Sequence, residues 1–591
     1  MGMTGDIAAP SRLPSAGKDS REVEWQLVAS DLEAVRRWLS GHTEVNGMSI
    51  EPCQTQQIRD VYLDTDDWRI FRAGYALRTR LNQGQNELTL KSLRSVRQDV
   101  ADRRELSEPL ENEALDTLTR ASGPVGSRVQ AVTGGHALRP LFEVRTRRER
   151  FAVRSGAGSE ELAEIALDES LILRGDGEPS ASCQRVEVEA LGNRHKPIEK
   201  FVQLMGAGCG LESARQSKYE LGLTSAGLAP ATAPHLAPVE VDASMRASEV
   251  ALARLRKLFT NWFANEPAAR LGDDPERLHD LRTATRRIDA TIGLFAEYLP
   301  RTLVRSRQRV KSLVRTFGAV RDFDVQLATL AKFSRDVSEP DREALEPLFH
   351  YLESKRAKAR SQMLNELDSK STRRWLDEFM TVLAHPSSSP ESRSDALGGV
   401  VVPEIIEKRF RRLNKSYRKL THASSAEEYH ECRSRAKKLR YAIESVAPLY
   451  GKAAQQMLRR IRRLQNELGD QQDAHVAEQR LLALASEPPD DLPSRTLFLM
   501  GRLAEQSAAV SADARKRLTR GWRKVRGRRW KELRSQMRDL RARSATAPKV
   551  AESEPTSVAS NEEATVHGTA EGTAPEAGAT HAEPVVQSGS R

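Results

Sequence analysis

Cysteine is scarce in this sequence, and long apolar runs are missing. The four cysteines among 591 residues are Cys53, Cys183, Cys209 and Cys432, with no CxxC or metal-finger spacing. Neither a disulfide framework nor a zinc finger is therefore expected, and such cysteine usage fits a reducing cytoplasm. No segment approaches the ~18 apolar residues that a membrane span needs, and the N-terminal stretch lacks the apolar core of a signal peptide. We predict a cytoplasmic protein without a membrane anchor.

Negative charge is in deficit. Lys and Arg number 93 against 82 Asp and Glu, which gives a net charge of +11. Excess positive charge favours a large anionic partner, and nucleic acid, an anionic membrane and polyphosphate all qualify. Aromatic residues make up only 5% of the chain, whereas single-stranded nucleic acid is bound largely by base stacking on aromatic side chains. Because we also find no nucleic-acid-binding motif, the composition disfavours nucleic acid.

Changes in composition divide the chain. At roughly one domain per ~150 residues, its length predicts two to four domains. Residues 1–20 and 541–591 are rich in small and polar residues and nearly lack aromatics, so we predict disordered tails. Residues 224–240 carry Pro and Ala without a hydrophobic period and are interpreted as a linker. The linker separates a strand-rich half, 21–223, from a helical half, 241–540.

The strand-rich half contains short segments in which charged and apolar residues alternate, as in REVEWQLVA and RVEVEAL. Alternation places the charged side chains of each strand on one face. These side chains are Glu22 and Glu24, Arg78 and Arg80, Lys91, Arg145 and Arg147, and Glu187 and Glu189. An ordinary wet sheet face is one reading. Sorting by sign, with acids on some strands and arginines on others, argues against that reading. If the sheet closes into a barrel, the charges can line a lumen that would hold metal and phosphate.

The helical half shows three-to-four spacing and repeats itself. A shift of 151 residues superimposes LHDLRTATRR at Leu278–Arg287 on YHECRSRAKK at Tyr429–Lys438, and also FGAVRDFDV on LGDQQDAHV. One shift that serves two separate motifs indicates a duplication. We predict two helical repeats, at about 241–385 and 400–540, with about four helices each.

Each repeat carries a basic helix face, because residues three and four apart lie together on a helix. The candidate anion-binding residues are His279, Arg282, Arg286, Arg287, His430, Arg433, Lys437, Lys438 and Arg440. Guanidinium forks, lysine and histidine all suit phosphate oxygens. A solvated face whose arginines pair with local acids is the alternative, and the duplication argues against it. Asp322 and Asp473 are expected to bond to arginines or cap helices rather than bind metal.

The helical motifs resemble a known family. HxxRxxxRR, its second copy HxxRxxxKKxRY, and two GxxxD segments are similar to the CHAD domain, the conserved-histidine alpha-helical domain, over about residues 241–540. The resemblance implies an all-α domain of two pseudo-symmetric four-helix bundles. It also implies a basic cleft that binds inorganic polyphosphate through the residues of the repeated basic helix.

The strand-rich half resembles the CYTH domain, the triphosphate tunnel fold, in the segments EVEWQ, VYLDTDDWRIFRAGYALRTR, ELTLKS, RRE, ALDES, VEVEAL and SKYELGL. The resemblance implies an α+β domain with an antiparallel eight-stranded β-barrel tunnel and flanking helices. By that resemblance Mg²⁺ or Mn²⁺ would bind Glu22, Glu24, Glu187 and Glu189, which are catalytic together with Lys91. Triphosphate would be gripped by Arg78, Arg80, Lys91, Arg145, Arg147 and Lys218.

One position departs from the family pattern. The first strand of the family reads ExExK, and here Gln26 occupies the lysine position, where it can donate a hydrogen bond but brings no charge. The resemblance implies a metal-dependent inorganic triphosphatase joined to a polyphosphate-binding module, with possible residence on polyphosphate granules. Gln26 keeps open a non-catalytic polyphosphate-binding scaffold. Adenylyl cyclase is a third reading, because the same family includes such enzymes.

Overall fold

A computed structural model gives the fold of much of the chain. The described residues are 18–93, 96–97, 100–110, 118, 123–155, 160–192, 195–231, 233–234, 236, 240–242, 244–385, 396–421, 423–489 and 492–546. The predicted tails fall outside these ranges except at their inner ends, where the first strand begins at Lys18 and the last helix ends at Thr546. In the described ranges, no helix combines the length and the hydropathy that a bilayer crossing requires.

The first half is built on antiparallel strands. Within the described residues the strands are β1 Lys18–Val28, β2 Glu44–Val45, β3 Met48–Pro52, β4 Gln56–Thr65, β5 Tyr75–Asn82, β6 Gln85–Ser92, β7 Val96–Arg97, β8 Val100–Pro109, β9 Leu138–Ser155, β10 Glu161–Arg174, β11 Pro179–Ala190 and β12 Glu212–Ser213. Eight of them close into a barrel in the order β1, β8, β6, β5, β4, β9, β10, β11, with β11 pairing back to β1. The predicted eight-stranded antiparallel barrel is confirmed.

Five helices in the described residues accompany the barrel, of which the first four cover its outside and the last packs against side chains that face the lumen. They are α1 Leu32–Gly41, α2 Arg69–Arg72, α3 Pro124–Thr133, α4 His195–Cys209 and α5 Lys218–Ser225. The apolar side chains that alternate with the charged ones pack under these helices, as Val186 and Val188 do beneath Phe201 of α4. Gly222 lets α5 approach the wall closely, because a Cβ atom there would lie 2.1 Å from the ring of Phe142. On strands such as β11 the apolar face is thus buried, and the charged face points into the barrel.

The second half is helical in its described residues. Its helices are α6 Ala247–Leu271, α7 Pro275–Leu294, α8 Arg301–Arg335, α9 Glu339–Glu343, α10 Glu346–Asp368, α11 Lys370–Ala384, α12 Gly398–Lys419, α13 Ala426–Ser445, α14 Ala447–Ser486, α15 Ser494–Val525 and α16 Arg528–Thr546. One apolar core runs through both predicted repeats, and it includes Ile288 and Phe317 of the first and Leu439 and Ile461 of the second.

The repeat seen in the sequence is also a repeat of structure. A shift of 151 residues carries α7 onto α13, and the starts of α6 and α12 and the ends of α8 and α14 are separated by the same 151 residues. The copies differ at Gly451, whose φ of 44° and ψ of −121° kink α14 near its start. The helices that carry the two basic motifs therefore occupy equivalent places in the two repeats.

A pair of reciprocal hydrogen bonds marks the relation between the repeats. The backbone N–H of Ala247 donates to the carbonyl of Ala396, and that of Gly398 donates to the carbonyl of Met245, each at 2.8 Å. Adding 151 to 247 and 245 gives 398 and 396, so each bond is the counterpart of the other. A pseudo-twofold axis passes through this contact, as the predicted architecture requires.

The two halves pack tightly against each other and belong to one compact unit. Glu266 of α6 is only 2% exposed and pairs with Arg69 of α2 at 3.1 Å and with Arg270. Arg72 Nη1 donates to the carbonyl of Phe263 at 2.7 Å, and its guanidinium lies 3.6 Å from the centroid of that ring. Leu271 joins the apolar layer outside the barrel wall. The first helix of the second half is thus anchored on the barrel.

Glu266 should be one of the most sensitive positions in this contact. Burial would raise its pKa, but Arg270 and Arg69 hold the pKa at about 2, so the carboxylate stays charged at neutral pH. Glu266→Ala leaves buried arginines without their carboxylate, and we expect a loss of about 3–5 kcal/mol in the free energy of unfolding. Denaturant titration of the full chain measures it. The control is Glu276→Ala, which removes an exposed partner of Arg321 and should cost about 0–1 kcal/mol. Equal effects would contradict the prediction.

Candidate functional site

The lumen of the barrel is a charged cavity of about 930 Å³, part of it open to solvent. It brings together nearly all the residues predicted for the tunnel, because alternation on each strand directs them inward. The predicted residues that line it are Glu22, Glu24, Arg78, Arg80, Lys91, Glu187, Glu189 and Lys218, with Gln26 beside them. Charged residues that were not predicted also line it, namely Arg103, Glu105, Arg148 and Glu164.

Lys91 is the centre of one charge network in the lumen. Its Nζ lies 2.8 Å from Glu22 Oε2, 3.1 Å from Glu105 Oε2 and 3.4 Å from Glu24 Oε1. Arg78 Nη2 reaches the other oxygen of Glu105 at 3.4 Å. Burial alone would lower the pKa of Lys91, but Glu24, Glu105 and Glu22 hold it above its ordinary value. The ammonium therefore stays charged inside the barrel.

A second network joins β9, β10, β11 and α5. The guanidinium of Arg148 forks onto Asp168, with contacts of 2.8 and 2.6 Å, and also reaches Glu187 at 2.6 Å. Lys218 bonds Asp168 and lies 3.0 Å from Glu187. Although burial opposes ionisation, Lys218 and Arg148 keep the pKa of Glu187 well below its ordinary value. Glu187 therefore already forms salt bridges with two cations.

Carboxylates crowd the part of the lumen where β1 and β11 meet. Glu24 and Glu189 are directly opposed on β1 and β11, an unfavourable arrangement for like charges. Burial, and then repulsion by Glu22 and Glu24, raise the pKa of Glu189 to about 7. Oxygen donors of this kind suit Mg²⁺ or Mn²⁺, and a divalent cation would relieve the repulsion. The donor chemistry fits, although the described ranges contain no group of three or more His, Cys, Asp or Glu side chains already placed to hold a metal ion.

The structure corrects the prediction for β9. The side chains of Arg145 and Arg147 are 63% and 45% exposed and pair with Glu143 and Glu149 outside the barrel. The lumen position on this strand belongs to Arg148. The segment RTRRER has arginines at both odd and even positions, so alternation by itself did not reveal which set faces inward.

Other unpredicted residues had a weak signal in the sequence. Arg103 and Glu105 lie in the RRE segment and Asp168 in the ALDES segment, both of which carried the family resemblance. Asp60 had no such signal, yet it is 3% exposed and accepts two bonds from Arg80, at 2.7 and 2.9 Å. That a buried acid lies beside a predicted phosphate-binding arginine becomes apparent only once the pairing of the barrel strands is known.

Gln26 lies inside the tunnel, at the position where the family pattern has lysine. Its Nε2 donates to Glu24 Oε1 at 3.0 Å, and its backbone is opposite that of Glu187. The amide therefore occupies the lumen without adding positive charge to it.

In the helical half, side chains from both repeats form one central basic cluster, comprising Arg282, Arg286, His430, Arg433 and Lys437. The pKa of Lys437 is lowered to about 6, first by burial and then by the positive charges of Arg286 and Arg433. Burial followed by Lys437 and Arg433 likewise lowers the pKa of His430. Cations at the equivalent places of α7 and α13 therefore repel one another across the pseudo-twofold axis.

The GxxxD motifs support the arginines of this cluster. A Cβ atom at Gly318 would lie 3.7 Å from the guanidinium of Arg282, and one at Gly469 would lie 3.4 Å from that of Arg433. Asp473 pairs with Arg433 at 2.8 Å. Both guanidinium groups therefore lie against these glycines of α8 and α14, at distances where a Cβ atom would make ordinary van der Waals contact.

Asp322, the first-repeat counterpart of Asp473, pairs with Arg480 of the second repeat at 2.8 Å. The prediction that both aspartates bond to arginines is therefore confirmed. Because the partner of Asp322 lies on α14, this bond also ties the two repeats together.

The remaining predicted residues have other surroundings. Arg287 and Arg440 lie 3.5 and 3.6 Å from Glu444, which is 7% exposed. Lys438 lies near cations of α8 and α12. Its pKa is lowered first by burial and then by the positive charge of Arg409. His279 is half-buried one turn before Arg282. Successive helix residues point about 100° apart, so the predicted basic stripe divides between several faces.

A barrel with a charged lumen, joined to a duplicated helical half with a basic cluster, defines the architecture of the chain. The CYTH domain model matches residues 22–209 and the CHAD domain model matches residues 253–482. The chain belongs to the CYTH–CHAD two-domain proteins, as the sequence motifs predicted.

Solved structures are similar to each part. The CHAD domain of the plant Ricinus communis is 26% identical, with a TM-score of 0.41, and covers 49% of this chain and 96% of its own. PptA of Streptomyces chartreusis is 19% identical, with a TM-score of 0.38, and covers 47% and 99%. A Hippeastrum protein, described as a candidate adenylyl cyclase with dominant triphosphatase activity, is 16% identical, with a TM-score of 0.25, and covers 35% and 97%. A search of curated proteins gave no match.

The crowding of carboxylates predicts a pH response in the metal-free protein. With a pKa of about 7, Glu189 should titrate between pH 6 and 8, and Glu22→Gln should lower that pKa because it removes a repelling charge. Carbon NMR of labelled glutamate carboxyls measures both. Glu143→Gln, on the outer face of β9, is the control and should leave Glu189 unchanged. Titration of Glu189 near pH 4 would contradict the prediction.

Proposed function

We propose that this protein is a metal-dependent inorganic triphosphatase whose helical domain binds polyphosphate. It would act in the cytoplasm and on polyphosphate granules. The observation that carries the proposal is the lumen, where buried cations and buried carboxylates line one enclosed cavity. Such a cavity matches a phosphate chain together with the cation that accompanies it.

The basic residues of the lumen would bind the phosphate oxygens. Arg78, Arg148 and Lys218 are each held charged by buried acids, which raise their pKa values. Guanidinium and ammonium groups so positioned would orient a chain of phosphates that exchanges with their carboxylate partners. Phosphoryl transfer depends mainly on such positioning and charge neutralisation. The barrel wall excludes bulk water from all but the open part of the cavity.

The acids would hold the metal. Mg²⁺ or Mn²⁺ bound by Glu22, Glu24 and Glu189 would neutralise phosphate oxygens and the leaving group. Glu187, the fourth predicted ligand, is instead placed to keep Arg148 and Lys218 in position. We therefore assign metal binding to three of the four acids predicted from the sequence.

The central basic cluster would bind polyphosphate. Its cations outnumber the acids near them, and their mutual repulsion adds to burial in lowering the pKa of Lys437. A polyanion lying across the pseudo-twofold axis would relieve this repulsion in both repeats at once. Guanidinium groups bind its oxygens as forks and lysine as a point charge.

A polyphosphate-binding scaffold without turnover is the second candidate, and Gln26 favours it. The lumen lacks one cation of the family pattern at this position. Binding of phosphate chains would survive that loss more readily than catalysis would, because catalysis needs charge at the reacting phosphorus.

The first test is phosphate release by the full chain from triphosphate, long polyphosphate and ATP, each with Mg²⁺ or Mn²⁺. We expect release from triphosphate, and we expect Arg148→Ala to lower kcat/KM by about 10- to 100-fold, since a charged hydrogen bond contributes about 1.5–3 kcal/mol. Arg145→Ala is a matched control on the outer face of the same strand. Arg148→Lys keeps a positive charge beside Asp168, and so serves as the control for activity lost through misfolding.

The same assay separates the candidates. No release from triphosphate by a protein that still binds long chains would indicate the scaffold. Gln26→Lys then distinguishes a weakened active site, which gains turnover, from a tunnel that only binds, which does not. Cyclic AMP from ATP, rather than ADP or AMP, would identify a cyclase and overturn the triphosphatase proposal.

Polyphosphate binding should take up protons. Lys437, with a pKa of about 6 in the free protein, is mostly neutral at pH 8 and should regain its proton beside a polyanion, because negative charge raises its pKa. Calorimetry at pH 8 in two buffers of different ionisation enthalpy measures the uptake. Lys437→Arg, which copies Arg286 of the first repeat, should bind polyphosphate without this uptake. Identical heats in both buffers for the unaltered protein would refute the prediction.

A further inference from the structure

The turn between α6 and α7, residues 272–274, touches the barrel. The carboxylate of Asp273 accepts a hydrogen bond from the Tyr75 hydroxyl at 2.8 Å. It also lies 3.3 Å from Arg104 and 3.3 Å from Arg128. Its side chain is 25% exposed. One carboxylate of the helical domain thus binds three residues of the tunnel domain, on β5, β8 and α3.

The contacts of Asp273 lie next to a pair of residues on β6 and β8 that face the lumen. Tyr75 opposes Ser92 across β5 and β6, and the backbone N–H of Arg104 donates to Ser92 Oγ at 3.1 Å. In the adjacent row Lys91 opposes Glu105 across β6 and β8, and their side chains pair in the lumen at 3.1 Å. Asp273 therefore spans three neighbouring strands at the position next to the lumen pair.

We infer that Asp273 is a positioning residue for the tunnel, supplied by the helical domain. It ties the first residue of β5 to the middle of β8 across β6, and so restrains the strands that carry Arg78, Lys91 and Glu105. The naming of triphosphate as the ligand of these residues rests on the proposed function. The positioning itself rests on the contacts of the turn.

The same turn leads into α7, the helix that carries the first of the two basic motifs. Asp274 caps α7, since its Oδ1 accepts a bond from the backbone N–H of Glu276 at 3.0 Å. Arg282 and Arg286 follow on that helix. Neighbouring aspartates of one turn therefore hold the tunnel strands and the start of the basic helix, which makes them a matched pair for experiment.

The test compares Asp273→Ala with Asp274→Ala in the full chain. Inorganic triphosphate is titrated calorimetrically into each variant in EDTA, so that turnover does not contribute. Asp273→Ala should weaken triphosphate binding by about fivefold or more, as the loss of a hydrogen bond and a charge predicts. Asp273→Asn, which can still accept from Tyr75, should fall between. Asp274→Ala loses a helix cap and destabilises α7, but it should bind triphosphate as the unaltered protein does.

Hydrogen exchange provides a readout that does not depend on the ligand. Amides of β5 and of β8 should exchange faster in Asp273→Ala than in Asp274→Ala. Equal exchange in the two variants, or equal triphosphate affinity, would overturn the inference. If the unaltered protein binds no triphosphate in EDTA and releases no phosphate from it with Mg²⁺ or Mn²⁺, the proposed function fails, and the exchange comparison still decides whether Asp273 positions the strands.

Discussion

Charges enclosed in a closed barrel must neutralise one another, and this constraint organises the tunnel. An ionised side chain inside a protein is costly unless a partner and hydrogen bonds compensate for the lost water. The lumen meets this condition with pairs that draw on different strands, such as Arg148 with Asp168 and Lys91 with Glu22. In the proposed function, a phosphate chain and its metal would replace the carboxylate and cation partners of these pairs. The carboxylates left crowded, Glu24 and Glu189, mark where positive charge is missing.

The helical domain shows the opposite balance. Duplication brings two basic helices to one axis, where cations of one repeat face those of the other. Asp322 and Asp473 compensate only part of that charge. Burial, together with this uncompensated charge, lowers the pKa of Lys437. A site with excess positive charge favours an anion from solution, whereas most of the charges in the tunnel are paired with one another.

The contact between the domains combines these two sites in one unit. Glu266 anchors α6 on α2, which connects β4 with β5, and Asp273 reaches β5 and β8 from the following turn. Both residues belong to the helical domain, yet their partners lie on elements that build the tunnel. The domain boundary in the sequence is therefore not a boundary of packing. Even the first part of the predicted linker packs on the barrel, through Leu228 and Ala231.

Local periodicity was enough to predict the strands, the inward face of β1 and β11, and the duplication of the helices. These features follow from the positions of side chains along a single element, with period two in a strand and about 3.6 in a helix. Only the tertiary structure decided that Arg148, rather than Arg145 and Arg147, enters the lumen. It also decided that Lys437 and Lys438 lie in different surroundings. The contacts of Asp60 with Arg80, and of Asp273 with the barrel, were likewise visible only in the structure. Those outcomes depend on the register between strands and on contacts between residues far apart in the chain, which no single segment of sequence contains.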